Sequence, residues 1–285
     1  MTVVDRPMGK IIWLASFPKS GNTWVRVFLH NLLQNPASSV DINRISEHTL
    51  AEASIEHYRP FDPRPPEAWS LEETAKVRLQ VHEVLTRRVP DDVFVKIHGA
   101  LAVDHGHPTV NLGVTAGTIY IVRNPLDIVP SFADHMGISI DQAIESLART
   151  NAHTETKGKY VAELRGSWSQ HVESWTERPH PSLYLLRYED MIEQPSATFG
   201  GLARFLGLAP SADRLRRAIA MSAFPVLREQ ERHHGFRERS PHAERFFRGG
   251  RAGQWRETLR PDQIAAIVAT HRAQMARFGY VPEDY

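Results

Sequence analysis

The chain of 285 residues contains no cysteine. Without thiols it forms no disulfide, no thiolate zinc site and no cysteine nucleophile. Lysine is scarce as well, because only six of the 34 basic residues are lysines. Arginine supplies ordinary surface charge equally well, so each remaining lysine is a candidate for a role that needs a compact point charge.

The chain also lacks excess charge of one sign and long hydrophobic runs. Its net charge of +1 gives no reason to expect a nucleic-acid partner. The apolar run 11–15 is too short for the core of a signal peptide. No stretch approaches the roughly 18 apolar residues of a spanning helix, so we expect a cytoplasmic protein without a membrane partner.

The histidines do not follow a metal-binding spacing. The 15 histidines are scattered, and no HExxH motif is present. We therefore predict no metal site. The two close pairs are expected to be solvated loop residues, namely His105 with His107 and His233 with His234.

Strand-like and helix-like segments alternate along the chain. The hydrophobic fraction of 41% and charged fraction of 24% are those of a soluble globular protein. Short apolar runs predict strands over 11–16, 92–98, 118–123 and 182–188. Helical spacing predicts helices over 23–33, 71–88, 124–136, 141–151, 160–177, 196–208, 212–221 and 261–279. Residues 36–75 are expected to form a loop with short helices, and residues 233–254 a loop. This order favours one α/β domain over 1–285, with a central, mainly parallel sheet flanked by helices.

The first strand leads into a loop suited to an anion. Backbone N–H groups at the start of a helix, together with the helix dipole, attract negative charge. Lys19 adds a mobile cation, and Gly21 allows the backbone to approach closely. The loop is not a Walker A motif, because the lysine precedes the glycine. An ordinary strand–helix turn is the alternative. The candidate residues are Pro18, Lys19, Ser20, Gly21, Asn22, Thr23 and Trp24.

A second strand–helix junction at 122–131 repeats this chemistry. Arg123 presents a fork that matches a phosphate. Pro125 suits the first helical turn, and Ser131 lies about two turns into the helix. The alternative role for Arg123 is a salt bridge to Asp127.

These segments resemble those of the PAPS-dependent sulfotransferases. FPKSGNTW at 17–24 is similar to the loop that binds the 5′-phosphosulfate, and RNPLDIVPS at 123–131 is similar to the 3′-phosphate motif. The segments 96–98, 166–175, 187–190 and 246–255 also match the family's motifs, in the family's order. The resemblance implies a P-loop-like nucleotide-binding fold. It also implies PAPS (3′-phosphoadenylyl sulfate) as co-substrate, PAP (adenosine 3′,5′-bisphosphate) as product and a small-molecule hydroxyl as acceptor.

The resemblance assigns roles to individual residues. His98 would take the proton from the acceptor, Lys19 would stabilise the leaving group, Lys96 would bind the sulfonate and Ser131 would restrain Lys19. Trp24 and Phe224 would enclose the adenine. No metal is implied. The remaining nucleotide-binding residues, besides the first loop, are Arg123, Ser131, Tyr188, Ser222, Phe224, Arg248, Gly249 and Gly250.

Two departures and several questions accompany the resemblance. Gly249 stands where the family has Lys and Gln254 where it has Asp, and Arg251 could replace the missing charge.

The segments 36–90, 99–117 and 133–165 would form the acceptor side. A phenolic or hydroxylated natural product is the expected acceptor, with a carbohydrate or lipid hydroxyl as alternatives. The oligomeric state stays open. An ATP-dependent P-loop kinase and a non-catalytic nucleotide-binding module are the competing functions.

Overall fold

The computed structural model describes residues 9–285. A parallel sheet of five strands forms its centre, in the spatial order β2-β3-β1-β6-β7. The predicted parallel sheet is thus confirmed. A separate antiparallel hairpin joins β4 to β5. The strands are β1 Ile11–Ser16, β2 Thr49–Ala51, β3 Val93–Ile97, β4 Val103–Asp104, β5 His107–Pro108, β6 Thr115–Val122 and β7 Leu183–Arg187.

Helices cover both faces of the sheet. Short 3₁₀ turns lie at 42–47, 66–68 and 112–114. Within 9–285, no helix is both long and apolar enough to cross a bilayer. The helices are α1 Asn22–Gln34, α2 Ile55–Tyr58, α3 Leu71–Leu85, α4 Pro125–Met136, α5 Ile140–Ala148, α6 Trp168–Thr176, α7 Tyr188–Glu193, α8 Pro195–Phe205, α9 Ala212–Met221, α10 Phe224–His234, α11 Trp255–Thr258 and α12 Pro261–Arg277.

The two faces of β1 belong to two different cores. Successive strand residues point to opposite faces. Trp13 therefore packs into the core formed with α3, α4, α6 and α12, whereas Leu14 packs into the core formed with α1, α8 and α9. Because both faces are covered, the central strands read as almost continuous apolar runs.

Three predictions about secondary structure were wrong. The predicted helix 160–177 begins only at Trp168, because Gly166 adopts a left-handed φ of +68° and Ser167 caps α6. The preceding residues are extended, and Val161 N–H donates to the Ala53 carbonyl at 2.8 Å. The region 36–75 contains the edge strand β2, which is only three residues long. His233 and His234 end α10, and His107 lies in β5, so these three histidines are not loop residues.

A buried ion pair joins the segments on the β2 side of the sheet. Glu52, which is 1% exposed, accepts a hydrogen bond from Arg78 Nε at 3.0 Å and another from Tyr58. Arg78 Nη2 also donates to the Ala162 carbonyl at 2.7 Å. The pair therefore connects β2, α3 and the extended segment before α6.

Removing one charge of this pair should destabilise the fold strongly. We expect Glu52→Gln to lower the free energy of unfolding by about 3–5 kcal/mol, because Arg78 would remain buried without its counter-charge. Urea denaturation measures this change. The matched control is Glu47→Gln, which removes the exposed partner of Arg44 and should have no measurable effect because solvent screens that pair. Equal stability of the two variants would show that the buried pair is unimportant.

Candidate active site

The carboxyl ends of three neighbouring strands form the site. Ligands of open α/β sheets bind at this edge. The loop after β1 carries Lys19, the residue after β3 is His98, and the residue after β6 is Arg123. The parallel order of the sheet therefore brings together the three segments that the sequence analysis selected.

The loop between β1 and α1 is shaped by left-handed backbone conformations. Lys19 has a φ of +70° and Gly21 a φ of +100°. A Cβ at Gly21 would lie 2.7 Å from the Tyr188 ring, so only glycine fits there. The buried Ser20 hydroxyl has no hydrogen-bond partner among the described residues. With the first N–H groups of α1, it offers a donor to an anion.

Lys19 is partly buried beside aromatic and cationic groups. Its ammonium lies 4.2 Å from the centroid of the Phe246 ring. Burial and the charge of Arg123 lower the pKa of Lys19 to about 8. The lysine therefore remains mostly charged at pH 7, and an anionic ligand would favour its charged form.

Arg123, which follows β6, also contacts the loop between β1 and α1. Its Nη1 donates to the Lys19 carbonyl at 2.8 Å, and its guanidinium lies 4.2 Å from the Tyr188 ring centroid. The buried Nε has no partner within the described part of the chain. The predicted alternative, a salt bridge to Asp127, is not formed. Asp127 accepts hydrogen bonds from the backbone N–H groups of Gly253 and Trp255 at 2.7 and 3.1 Å.

His98 is held in one tautomer. Its Nδ1 lies 2.7 Å from the Ser16 carbonyl oxygen, which can only accept, so Nδ1 carries the proton. The other ring nitrogen, Nε2, is then free to accept one. Burial and the neighbouring charge of Lys96 lower the pKa of His98 well below 6.5. The backbone N–H of His98 donates to Glu163 Oε1 at 3.0 Å.

Lys96 faces a carboxylate that the sequence analysis missed. Its Nζ lies 4.0 Å from Glu238 Oε2. Glu238 also accepts two hydrogen bonds of 2.9 Å from the buried Arg26. Burial acts to raise the pKa of Glu238, but the charges of Lys96 and Arg26 prevail and hold it at about 2. The signal available in the sequence was Arg26, a charged residue within the apolar pattern of α1 that needs a buried carboxylate partner.

A narrow cleft lies beside Arg123 under the late loop 246–254. Its volume of about 70 Å³ is well below the roughly 300–1,000 Å³ of ordinary ligand pockets. Phe224 packs against Gly250, and the Gln254 side chain packs against Gly249. The lining residues are Arg123, Asp127, Pro130, Ser131, Tyr188, Phe224, Phe246, Arg248, Gly249, Gly250 and Gln254. The cleft in this conformation is therefore smaller than an ordinary ligand pocket.

The basic residues of the late loop have different partners. Arg248 lines the cleft and pairs with Asp134 at 2.7 Å. Arg251 instead donates to Glu257 at 3.0 Å. In this structure Arg251 therefore does not replace the missing lysine in the cleft.

The remaining predicted residues lie around this cleft in different ways. Trp24 packs edge-on against Tyr188 at 5.9 Å between ring centroids. The Ser222 hydroxyl is fully buried and donates to the Ala218 carbonyl at 2.8 Å, so its donor is already used. Asn22 Nδ2 donates to the Leu14 carbonyl at 2.9 Å and fixes the start of α1.

His135 is a further residue near the two lysines. It follows Ser131 by one turn on the same face of α4. Burial and the charges of Lys19 and Lys96 together lower the pKa of His135 to about 4. Its buried Nδ1 has no protein partner within 9–285. The spacing of residues 127, 131 and 135 was the signal that could have identified it.

Comparison with known proteins gives a consistent family match. The family model of the sulfotransferase domain matches residues 10–279. A sulfotransferase 1A1 from Canis lupus familiaris is 24% identical over 279 residues, covering 93% of this chain and 83% of the relative. A sulfotransferase 2A6 from Rattus norvegicus is 30% identical over 176 residues, covering 59% and 61%.

A solved structure shares the fold. The crystal structure of a retinol dehydratase with androsterone and the inactive cofactor PAP aligns with a TM-score of 0.65 and 19% identity. The alignment covers 93% of this chain and 80% of that one.

The protonation state of His98 can be tested directly. We expect the Nδ1–H tautomer at pH 7 and no protonation between pH 8 and 6, because a lowered pKa keeps the buried ring neutral until the pH falls well below 6.5. Two-dimensional ¹H–¹⁵N NMR of the histidine rings, with His98→Gln to assign the signals, measures both properties. Titration near pH 6.5, or an Nε2–H tautomer, would contradict the geometry.

Proposed function

The chain belongs to the sulfotransferase family, and we propose that it transfers the sulfuryl group of PAPS to a hydroxyl of a small-molecule acceptor, with PAP as the second product. The observation that carries this proposal is the position of His98. One ring nitrogen is fixed by the Ser16 carbonyl at 2.7 Å, and the other is free beside Lys96.

The residues at the strand ends fit a nucleotide with phosphates at both ends of its ribose. Ser20 Oγ and Arg123 Nε are buried donors without protein partners among residues 9–285. Buried donors of this kind normally have a partner, so each indicates a ligand atom. The loop at 18–24 would hold the 5′-phosphosulfate, and Arg123, Ser131 and Arg248 would hold the 3′-phosphate. When bound, PAPS supplies an activated sulfuryl group.

His98 would act as the general base. A neutral imidazole with a free Nε2 can take the proton of an acceptor hydroxyl, and the Ser16 carbonyl would stabilise the imidazolium that forms. The lowered pKa of His98 keeps its ring unprotonated at pH 7, which is the state in which a general base must start. The nearby charge of Lys96 helps to keep the ring neutral before reaction.

The two lysines would stabilise developing negative charge. Lys19 would reach the bridging oxygen of the leaving phosphate, and Lys96 the transferring sulfonate. Both ammonium groups have lowered pKa values because they are buried, and both would regain a full counter-charge from an anionic ligand. Ser131 lines the narrow cleft beside Arg123 and would restrain Lys19 between turnovers. A lysine suits this exchange of partners better than the planar fork of arginine.

We infer that the acceptor is a phenolic or hydroxylated natural product. Phenols have a pKa near 10, so their hydroxyl loses its proton to a neutral histidine more readily than an aliphatic alcohol does. The ring centroid of the partly buried Tyr160 lies 6.0 Å from Lys96 Nζ, and the charges of both lysines act on His135. An aromatic acceptor that met the sulfonate at Lys96 would therefore lie close to the Tyr160 ring.

Two alternative functions are an ATP-dependent kinase and a nucleotide-binding module without catalytic activity. Lys19 precedes Gly21, unlike the lysine of a Walker A loop. Arg123 and Arg248 border a second anion site that ATP would leave without a phosphate. A binding module would have no use for the base geometry of His98.

Replacement of His98 should separate chemistry from binding. We expect His98→Ala to lower sulfation of a simple phenol by about 10²–10⁴-fold, since general bases contribute that range. The dissociation constant of PAP in calorimetry should change little. The control is His234→Ala at the exposed end of α10.

Three results would contradict the proposal. Near-normal sulfation by His98→Ala would exclude the base. Binding of ATP but not PAP would favour the kinase. Binding of PAP without any transfer from PAPS to a panel of phenols, sugars and lipids would favour the binding module.

The anchor of the late loop should control nucleotide affinity. Asp127 holds Gly253 and Trp255 through charge-assisted hydrogen bonds worth about 1.5–3 kcal/mol each. We expect Asp127→Asn to weaken PAP binding by about tenfold or more, since one bond would be lost. Hydrogen exchange at 249–255 should also accelerate. Asp213→Asn, on the exposed face of α9, is the control. Unchanged affinity and exchange would show that Asp127 does not position the loop.

A further inference from the structure

Three metal-ligating side chains meet away from the strand-end site. Asp104 and His105 belong to the β4–β5 hairpin, and His153 lies in the segment after α5. Their candidate ligand atoms all lie within 4.8 Å of one another. Within 9–285, no other group of three or more histidine, aspartate or glutamate side chains meets this condition. Residues 49 positions apart in the sequence thus converge on one point.

The distances resemble the edges of a metal coordination polyhedron. Asp104 Oδ1 lies 2.9 Å from His153 Nε2 and 3.8 Å from His105 Nε2. Zinc bound at about 2.0–2.2 Å by nitrogen and oxygen in a tetrahedron separates its ligands by about 3.4 Å. The two observed distances lie on either side of this value. Small side-chain rotations would therefore bring the three atoms to one ion.

The hairpin turn holds His105 in an unusual conformation. His105 has a φ of +46° and Gly106 a φ of +82°, so both turn residues are left-handed. A non-glycine residue in this region costs about 1 kcal/mol or more. The turn places the exposed imidazole of His105 3.8 Å from the oxygen that His153 already contacts. The Asp104–His153 hydrogen bond alone gives no reason for a second histidine at the same oxygen.

The carboxylate is oriented from behind. Asp104 is 6% exposed, and its second oxygen, Oδ2, lies 4.0 Å from Arg78 Nη1. Arg78 is itself fixed by Glu52 and the Ala162 carbonyl. Outer partners of this kind orient metal ligands in proteins. Oδ1 is therefore the oxygen left to face the two histidines.

We propose that Asp104, His105 and His153 bind one Zn²⁺ ion, with water in the remaining position. Two imidazoles and one carboxylate form a nitrogen and oxygen ligand set that suits zinc, and it needs no cysteine. Binding would displace the proton shared by Asp104 and His153. None of the three residues belongs to the proposed nucleotide or proton-transfer groups, so the ion has no part in sulfuryl transfer.

The ion would join two segments that the sequence analysis placed on the acceptor side. Asp104 and His105 lie in the segment 99–117, and His153 lies in 133–165. A bridging ion would fix the position of the hairpin relative to the segment after α5. The description of these segments as the acceptor side rests on the proposed function. The zinc site itself does not depend on that function.

Calorimetry of the chelator-treated full chain with Zn²⁺ tests the site. We expect one saturable site per chain in the wild type. His105→Asn and His153→Ala should each weaken it by at least about 100-fold, since even outer partners of ligands are worth about 10- to 100-fold. Asparagine tolerates the left-handed region, so His105→Asn removes the imidazole and keeps the turn. Mg²⁺ should not compete.

The control addresses adventitious binding by other surface histidines. His233 lies beside Glu229 at the exposed end of α10, and His233→Ala should leave Zn²⁺ affinity unchanged. Hydrogen exchange at 103–108 and 149–155 should slow on adding Zn²⁺ to the wild type and not to His105→Asn. Absence of saturable binding, or binding that follows His233 and ignores His105, would overturn the proposal. PAP affinity measured in parallel distinguishes this outcome from failure of the proposed function.

Discussion

The parallel register of the central strands is the constraint on which the site depends. Ala15 of β1 aligns with Ile97 of β3 and with Tyr120 of β6. The residue that follows β3, His98, therefore comes beside Ser16, and its ring donates to the Ser16 carbonyl. A shift of one residue would turn the alternate side chains to the opposite face and break this contact. The covered faces of the sheet, with Trp13 on one and Leu14 on the other, hold the register.

Burial gives the strand-end residues their chemistry. Desolvation lowers the pKa of Lys19, Lys96 and His98, so a positive charge on any of them costs free energy unless a nearby anion compensates it. Glu238 provides part of that compensation for Lys96 and is itself fixed by Arg26. An incoming sulfonate would compete with Glu238 for the same ammonium. The loop that carries Glu238 is thus coupled electrostatically to Lys96, the lysine that we propose for the sulfonate.

The two sides of the molecule are held in different ways. The late loop depends on Asp127, whose two oxygens accept backbone N–H groups beside the narrow cleft. The opposite side depends on the buried Glu52–Arg78 pair, which also orients Asp104. One anchor therefore fixes backbone N–H groups of a loop, and the other fixes buried side chains between segments.

Local patterns in the sequence determined the main strands, most helices and the two strand-end motifs, because these depend on periodicity and on turn residues within about ten positions. Tertiary structure alone decided what those motifs meet. Glu238 reaches Arg26 and Lys96 across the fold, and His153 reaches Asp104, so no local pattern indicates either contact. Periodicity wrongly predicted a helix from residue 160. The segment before α6 is extended instead, because the backbone N–H of Val161 donates to the Ala53 carbonyl. Arg251 pairs with Glu257 six residues further on, and the sequence did not distinguish this partner from the other nearby charges.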